Sequence, residues 1–377
     1  MTLDTPQAGA ASDRPRVAVV FGGRSTEHAI SCLTAGGVMT ALTAAGYDVC
    51  AIGVTRDGRW VLPPADPALL TMKDGRLPEV DASHPPVVVV PDPAEPGLFV
   101  RDVSGRLRSL GRIDVAFPVL HGPFGEDGTI QGLFEMAGIP YVGSGVFASA
   151  AAMDKQFMKV LFVGAGLPDV PHVVVTPDEW RTDPAAVRES VASLGFPVFV
   201  KPARGGSSVA VTKVHKPADV DEAIERAREA DPKVLVERAI DGREIEVGVL
   251  DDVHGGAPKV SVPAEILVRG REFYDFEAKY LDQGTVITIP ASLPPTVLQT
   301  VNRYAVIAYR ALGCEGLARV DFFVTATGEV FVNELNTMPG FTPTSVFPRV
   351  WQASGLEYPE LVDYLVQLAL RRRPGLR

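Results

Sequence analysis

Cysteine is scarce: Cys32, Cys50 and Cys314 are three in 377 residues, an odd number without metal-ligand spacing. That excludes a disulfide framework or a cysteine-based zinc site, fits a reduced compartment, and leaves the three thiols as small core residues. Net positive charge is absent as well, with a formal charge of -10 and a pI near 5.2. Nothing would neutralise a polyanion globally, so nucleic acid and membrane are not expected partners, while a small anion in a local basic pocket stays open. No uninterrupted apolar run reaches the ~20 residues of a membrane span. Residues 1–15, MTLDTPQAGAASDRP, lack a basic and an apolar region and read as a disordered tail, not a signal peptide. No G-x-x-x-x-G-K-[ST] occurs, and GGRS at 22–25 is not G-x-G-x-x-G, so neither familiar nucleotide loop is present.

What is there is apolar and patterned. At 46% hydrophobic the chain supports two or three domains. VAVVF (17–21), VCAIGV (49–54), IDVAFPVL (113–120) and PYVG (140–143) are short apolar strands alternating with helical stretches, the pattern of a parallel sheet covered on both faces. Residues 55–112, rich in Pro, Gly and Asp, read as irregular hairpin or loop. From 152 the pattern turns mixed: HVVVTP, FPVFVKP, the charged helix DVDEAIERAREA and VLVERAI suggest a small α+β sandwich. From 244 the strands EIEVGVL, KVSVPAEILV, TVITIP, ARVDFFV and EVFVNEL alternate in polarity around a helix at about 295–312, as antiparallel strands with one wet face do. The expected layout is a tail (1–15), a Rossmann-like parallel-sheet domain (16–151), a central unit (152–243) and a C-terminal unit (244–377). The closing RRRPGLR reads as a run that solvates a terminus or complements the last helix.

ARVDFFVTATGEVFVNELN reads as a hairpin with its turn at Thr325–Gly328. An even loop pairs Asp321 with Val332 and Arg319 with Glu334. That puts Arg319, Asp321, Glu334 and Asn336 on one face, and Val320, Phe322, Phe331 and Leu335 on the other. Two carboxylates and an amide suit a hard cation such as Mg²⁺, which keeps waters and bridges to phosphates. A solvated face with an Arg-Glu pair is the plainer alternative, although such faces more often carry Lys and Thr. VKPARGGSSVAV (200–211) supplies a phosphate cover: Lys201, then Gly205, Gly206, Ser207 and Ser208, whose backbone N–H groups can face anionic oxygens. Glu237, Arg238, Ala239 and Ile240 form a strand edge able to hold adenine, with Glu244 accepting from ribose. A charged rim and a turn at Asp241-Gly242 explain these residues equally well.

GGRSTEHAIS (22–31), HGPFGEDGTIQG (121–132), MDK (153–155), VKPARGGSSV (200–209), YDFEAKY (274–280) and RVDFF…NELNTMPGFTPTS (319–345) together resemble the D-alanine:D-alanine ligases. The likeness begins near Arg16 and runs in family order through nearly the whole chain. It implies an ATP-grasp fold of mixed α/β and α+β character behind a Rossmann-like domain, and ligation of two D-alanines through an acyl phosphate for peptidoglycan. By the same resemblance Lys155, Lys201, Ser207, Ser208 and Lys279 contact ATP, and Glu237–Ile240 and Glu244 hold adenine and ribose. Asp321, Glu334 and Asn336 bind two Mg²⁺ or Mn²⁺ ions, and a monovalent cation such as K⁺ is a further candidate. Glu27 anchors the first D-alanine's ammonium, Ser207 and Tyr280 complete a hydrogen-bonded set with it, and Arg319 stabilises the transferring phosphate. His121 and Glu126 are carried over as substrate-site residues, and Ser345 with Val346 as the second substrate's carboxylate site. His28 reads as no more than a polar helix residue. A cytoplasmic homodimer is the implied setting. The intact AKY, and Val346 after Ser345 instead of arginine, favour an amine over a hydroxyl nucleophile. Gly205, Ala210 and Met338 depart from the usual pattern and bear on lid closure and the second subsite. A D-alanine:D-lactate enzyme, another carboxylate-amine ligase and a noncatalytic nucleotide-binding module are the alternatives.

Overall fold

The computed structural model describes residues 14–94, 97–206, 209–268 and 285–372. Three sheets carry the chain's polar chemistry and a fourth, smaller one sits behind the first. The first sheet runs Trp60–Val61, Asp48–Val54, Arg16–Gly22, Val115–Pro118, with the last three strands parallel. Its strands are apolar on both faces because helix His28–Ala44 covers one side and Thr129–Ala137 the other. The expected strand at PYVG is reduced to one bridge, Ala116 to Tyr141. Cys32, Cys50 and Cys314 are free and buried, and burial pushes the Cys32 and Cys314 thiols up to about 12.

Residues 55–112, read as irregular hairpin or loop, hold the hairpin alternative in a more regular form than expected. Val87–Val90, Gly97–Arg101 and Leu107–Arg112 form an antiparallel sheet that buries Val87, Leu98, Val100 and Leu110. Its second turn is set by Asp102, whose Oδ1 accepts from Ser104 N at 2.8 Å, and by Gly105 at φ +84°. The many turn residues hid three strands too short to show a period.

The second sheet, ordered Thr212–Val214, Val198–Pro202, Val234–Arg238, His172–Val175, is wholly antiparallel. Helices Pro184–Ser193 and Val220–Arg228 pack Val187, Val191, Ile224 and Ala227 against it. The third is six-stranded and built on Gly242–Leu250 and Leu317–Thr325. Helices Pro295–Ala311 and Lys155–Gly164 cover its apolar face.

The hairpin of the third sheet has an odd loop, not an even one. Thr325 N donates to Glu329 O, leaving three loop residues with Gly328 at φ +86°. The register is therefore Phe322 to Val332 and Phe323 to Phe331, which moves Phe331 off the core face where the even loop had put it. A bulge then inserts Asn333, and the pairing resumes as Asp321 to Glu334 and Arg319 to Asn336. Arg319, Asp321, Glu334 and Asn336 still share one face, and Val320, Phe322, Val332 and Leu335 are buried on the other.

Phe341, fully buried, joins the ends of the chain. Its ring lies 6.0 Å from Phe117 of the first sheet, 5.8 Å from Phe347 and 5.8 Å from Tyr358. The chain's end does more than solvate a terminus: Arg372 stacks 3.9 Å over the Tyr141 ring and pairs with Glu315 at 2.7 Å. Residues 373–377 lie outside the described residues. Phe341→Ala is expected to destabilise the protein by about 3–5 kcal/mol, the cost of a large buried cavity. Denaturant unfolding measures it, and a loss under 1 kcal/mol would show that the cluster does not hold the ends together.

Candidate active site

Between the second and third sheets lies a cavity of about 540 Å³. Lys155, Lys201, Glu237, Glu244, Glu246, Asp321, Asn333 and Glu334 all line it. Strand alternation supplies most of them: Asp321 projects to the cleft because Val320 and Phe322 face the core, and Glu244 and Glu246 do so two residues apart. The bulge adds Asn333 beside Glu334, two consecutive polar side chains on one face.

The charges are paired. Arg319 donates to both Asp321 oxygens at 2.7 Å and reaches Glu246 at 3.1 Å. Burial by itself would lower its pKa; the adjacent Asp321 and Glu246 carboxylates overcome that and hold it well above the usual value. Asn336 Nδ2 donates to Asp321 Oδ2 at 3.1 Å, leaving its amide oxygen available. Lys155 Nζ lies 3.3 Å from Glu334 and donates to Gly205 O at 2.8 Å, tying the cleft face of the third sheet to the glycine loop.

Glu237 is not an open strand edge. Its strand is interior to the second sheet, and its carboxylate contacts Lys201 and Lys159, the latter at 2.7 Å. Burial by itself would raise its pKa, but the two lysines bring it down to about 2. Burial conversely depresses the pKa of Lys201. Arg238 is exposed, and Ala239 and Ile240 are half-buried on the cavity wall, where Ala239 N already donates to Pro197 O.

A second cluster stands beside the first sheet. Glu27 is buried at the start of helix His28–Ala44, and a methyl on Gly206 would lie only 3.5 Å from its Oε2, so the glycine loop reaches it. Its charge is felt at both His121 and Glu126. Burial lowers the His121 pKa, and its Nδ1 lies 3.3 Å from Met338 O. Burial, reinforced by Glu27, pushes the Glu126 carboxyl up to about 8, while its Oε2 accepts from Gly122 N at 2.6 Å. Ser345 sits before helix Val346–Ala353 with its Oγ 2.8 Å from Thr342 Oγ1, and Val346 is packed into the core. Ser207, Ser208, Lys279 and Tyr280 lie outside the described residues.

Among the described residues no three His, Cys, Asp or Glu side chains gather into a ready-made metal cage. Magnesium takes one or two carboxylates and fills its shell with water and phosphate. Asp321 and Glu334, opposite one another on the cleft face, with the Asn336 amide oxygen, are a donor set of that kind.

The family models for the D-ala D-ala ligase N-terminus and C-terminus match residues 16–144 and 161–367. The chain belongs to the D-alanine–D-alanine ligase family. Members of this ATP-grasp family depend on ATP and use Mg²⁺. The chain is 51% identical to a D-alanine--D-alanine ligase of Streptomyces griseus, over 99% of this chain and 97% of that one. It is 55% identical to that of Kineococcus radiotolerans, over 97% and 99%. Among solved structures it is similar to a D-Ala:D-Ser ligase from Enterococcus faecalis, at TM-score 0.81 and 35% identity over 95% of this chain and all of that one. The D-alanine-D-alanine ligase of Coxiella burnetii follows at TM-score 0.79 and 34% identity, over 95% and 94%.

Three buried polar residues of these clusters were not singled out by the sequence pattern. Glu246 was legible in EIEVGVL, two residues past Glu244 and so on the same face. His28 is no mere polar helix residue: fully buried, it accepts from Val80 N at 3.1 Å and holds Gly23 O at 2.8 Å, fixing the GGRS loop. Lys159 falls one helical turn after Lys155 and is wholly buried. No local pattern marks a lysine whose partners lie on other elements.

The fold favours the protonated form of Glu126. That contribution is complete below the ordinary value of 4.5 and is lost as the pH climbs to about 8. Glu126→Gln, neutral throughout, is expected to gain thermal midpoint over the parent progressively across that window. A gap that stays constant with pH would overturn the assignment.

Proposed function

We propose that the chain joins two D-alanines into D-alanyl-D-alanine at the expense of ATP, supplying peptidoglycan precursor synthesis. The observation that carries this is the convergence of Lys155, Lys201, Asp321 and Glu334 on one cavity, with Arg319 paired to Asp321, in a chain of this family. The carboxylate oxygen of the first D-alanine attacks the ATP γ-phosphorus, ADP leaves, and an acyl phosphate remains. The amine of the second attacks the acyl carbon, phosphate departs with the C–O bond's electrons, and the nitrogen loses a proton. A carboxylate is a poor electrophile, so the phosphate must be installed first.

Charge moves onto the transferring phosphoryl oxygens in the first step, and preorganised cations in a dry cleft stabilise it. Lys155 and Lys201 hold phosphates there, and Arg319, kept charged by Asp321 and Glu246, faces the transferring group. Asp321, Glu334 and Asn336 hold two Mg²⁺ ions, with Mn²⁺ as a substitute, and these supply Lewis-acid charge neutralisation when bound. Ala239, Ile240 and Glu244 hold adenine and ribose on the cavity wall, with Glu237 and Arg238 beside them. Glu27 binds the first D-alanine's ammonium with His121 and Glu126 beside it, and Ser345 takes the second carboxylate. Ser207, Ser208, Lys279 and Tyr280, which the family resemblance assigns to ATP and substrate, lie outside the described residues. K⁺ activation, a homodimer and a cytoplasmic setting complete the proposal. Among the described residues no helix is long and apolar enough to cross a membrane.

ADP formation with D-alanine, L-alanine, D-serine and D-lactate in parallel tests the reading. D-alanine alone should sustain turnover. Turnover that requires D-serine or D-lactate as acceptor would reassign the second subsite, and nucleotide binding without turnover would make the chain a binding module. Glu334→Gln should lower the rate about 100-fold or more while leaving the thermal midpoint near the parent's, because it removes cleft charge and no core volume. Near-normal turnover would remove Glu334 from the site.

A further inference from the structure

Lys159 is 0% exposed in the helix Lys155–Gly164, and no step above uses it. Its ammonium lies 2.7 Å from Glu237 Oε1 and 3.0 Å from Asp169 Oδ1. Asp169 in turn lies 2.8 Å from His172 Nδ1, and the second Glu237 oxygen contacts Lys201. Charges of alternating sign thus run from Asp169 through Lys159 and Glu237 to Lys201, with His172 beside Asp169. Glu237 and Lys201 line the cavity; Lys159 does not.

If Lys201 serves a nucleotide phosphate, it must leave Glu237. Stripping the only cation from a buried carboxylate is costly, so Glu237 with Lys201 as its single partner would hold that lysine back. A second cation already in place, shielded from both water and nucleotide, removes the obstacle. The low Glu237 pKa agrees with two cations sharing one carboxylate.

We propose that Lys159 is a positioning residue, the resident counter-ion of Glu237, whose charge lets Lys201 exchange between that carboxylate and the nucleotide phosphates. This rests on the reading of Lys201 as a phosphate ligand given above. The consequence is unusual for a buried lysine. Its loss should impair ATP binding through an excess of attraction at Glu237, and a second substitution should repair it.

The test is steady-state kinetics of the full chain with ATP varied at saturating D-alanine. Lys201→Met sets the reference, and a rise of about 10-fold or more in the KM for ATP is expected from loss of a charged hydrogen bond. Lys159→Met should raise that KM by a similar factor, about 10-fold or more, with kcat at saturating ATP changed much less. Adding Glu237→Gln to Lys159→Met should return the KM to that of Glu237→Gln alone, since Lys201 is no longer captured. A structural role would instead multiply the two losses, and that outcome overturns the proposal. If Lys201→Met leaves the KM unchanged, the phosphate role of Lys201 fails and the proposal with it. If Lys201→Met raises it and Lys159→Met does not, only the counter-ion role fails. Should Lys159→Met not fold, Asp169→Asn carries the test: Glu237 then has Lys159 to itself, and the KM for ATP should hold or fall. A rise of about 10-fold there would mean that Lys159 merely pins its helix to the 165–171 segment, and would overturn the proposal.

Discussion

A charge taken out of water must meet its opposite, and the cleft between the second and third sheets is organised by that requirement. Arg319 between Asp321 and Glu246, Lys155 against Glu334, and Glu237 between Lys159 and Lys201 are three solutions to it. Each pair offsets the cost of taking its charges out of water, and each would be a liability if one partner were lost. A site of this kind is assembled in advance of its ligands. Lys155 and Arg319 are held in place by carboxylate partners, and Lys201 is held by Glu237.

The backbone feature beneath this arrangement is a single extra residue. The odd loop at Ala326–Gly328 shifts the hairpin so that Phe322 meets Val332; the bulge at Asn333 then brings Glu334 opposite Asp321. Between them, two irregularities put the acids on one rung of the ladder with their apolar neighbours all turned inward. The same bulge is why Asn333 reaches the cavity at all.

That history explains how much of the molecule was legible beforehand. The acid-bearing face could be read because strand alternation is local: Asp321, Glu334 and Asn336 follow from period two in either register. The register itself could not, because loop parity depends on Gly328 adopting a left-handed conformation that the sequence permits without requiring. The three-stranded sheet between Val87 and Arg112 was hidden by its turn residues. Glu246 was readable from the spacing already used for Glu244. Lys159 was not, because its partners Asp169 and Glu237 lie on separate elements, and a buried lysine looks in sequence like any exposed one.

Arg372 joins parts of the chain far apart in sequence. Its guanidinium stacks on Tyr141, donates to Gly143 O across a separation of 229 residues and pairs with Glu315. During synthesis the Tyr141 segment leaves the ribosome long before its clamp has been made. Until Arg372 has been made, Tyr141 has its near neighbours Phe134 and Glu135 to pack against. Contacts so distant in sequence form late, and the nascent chain has to keep the exposed Tyr141 ring out of wrong partnerships until then.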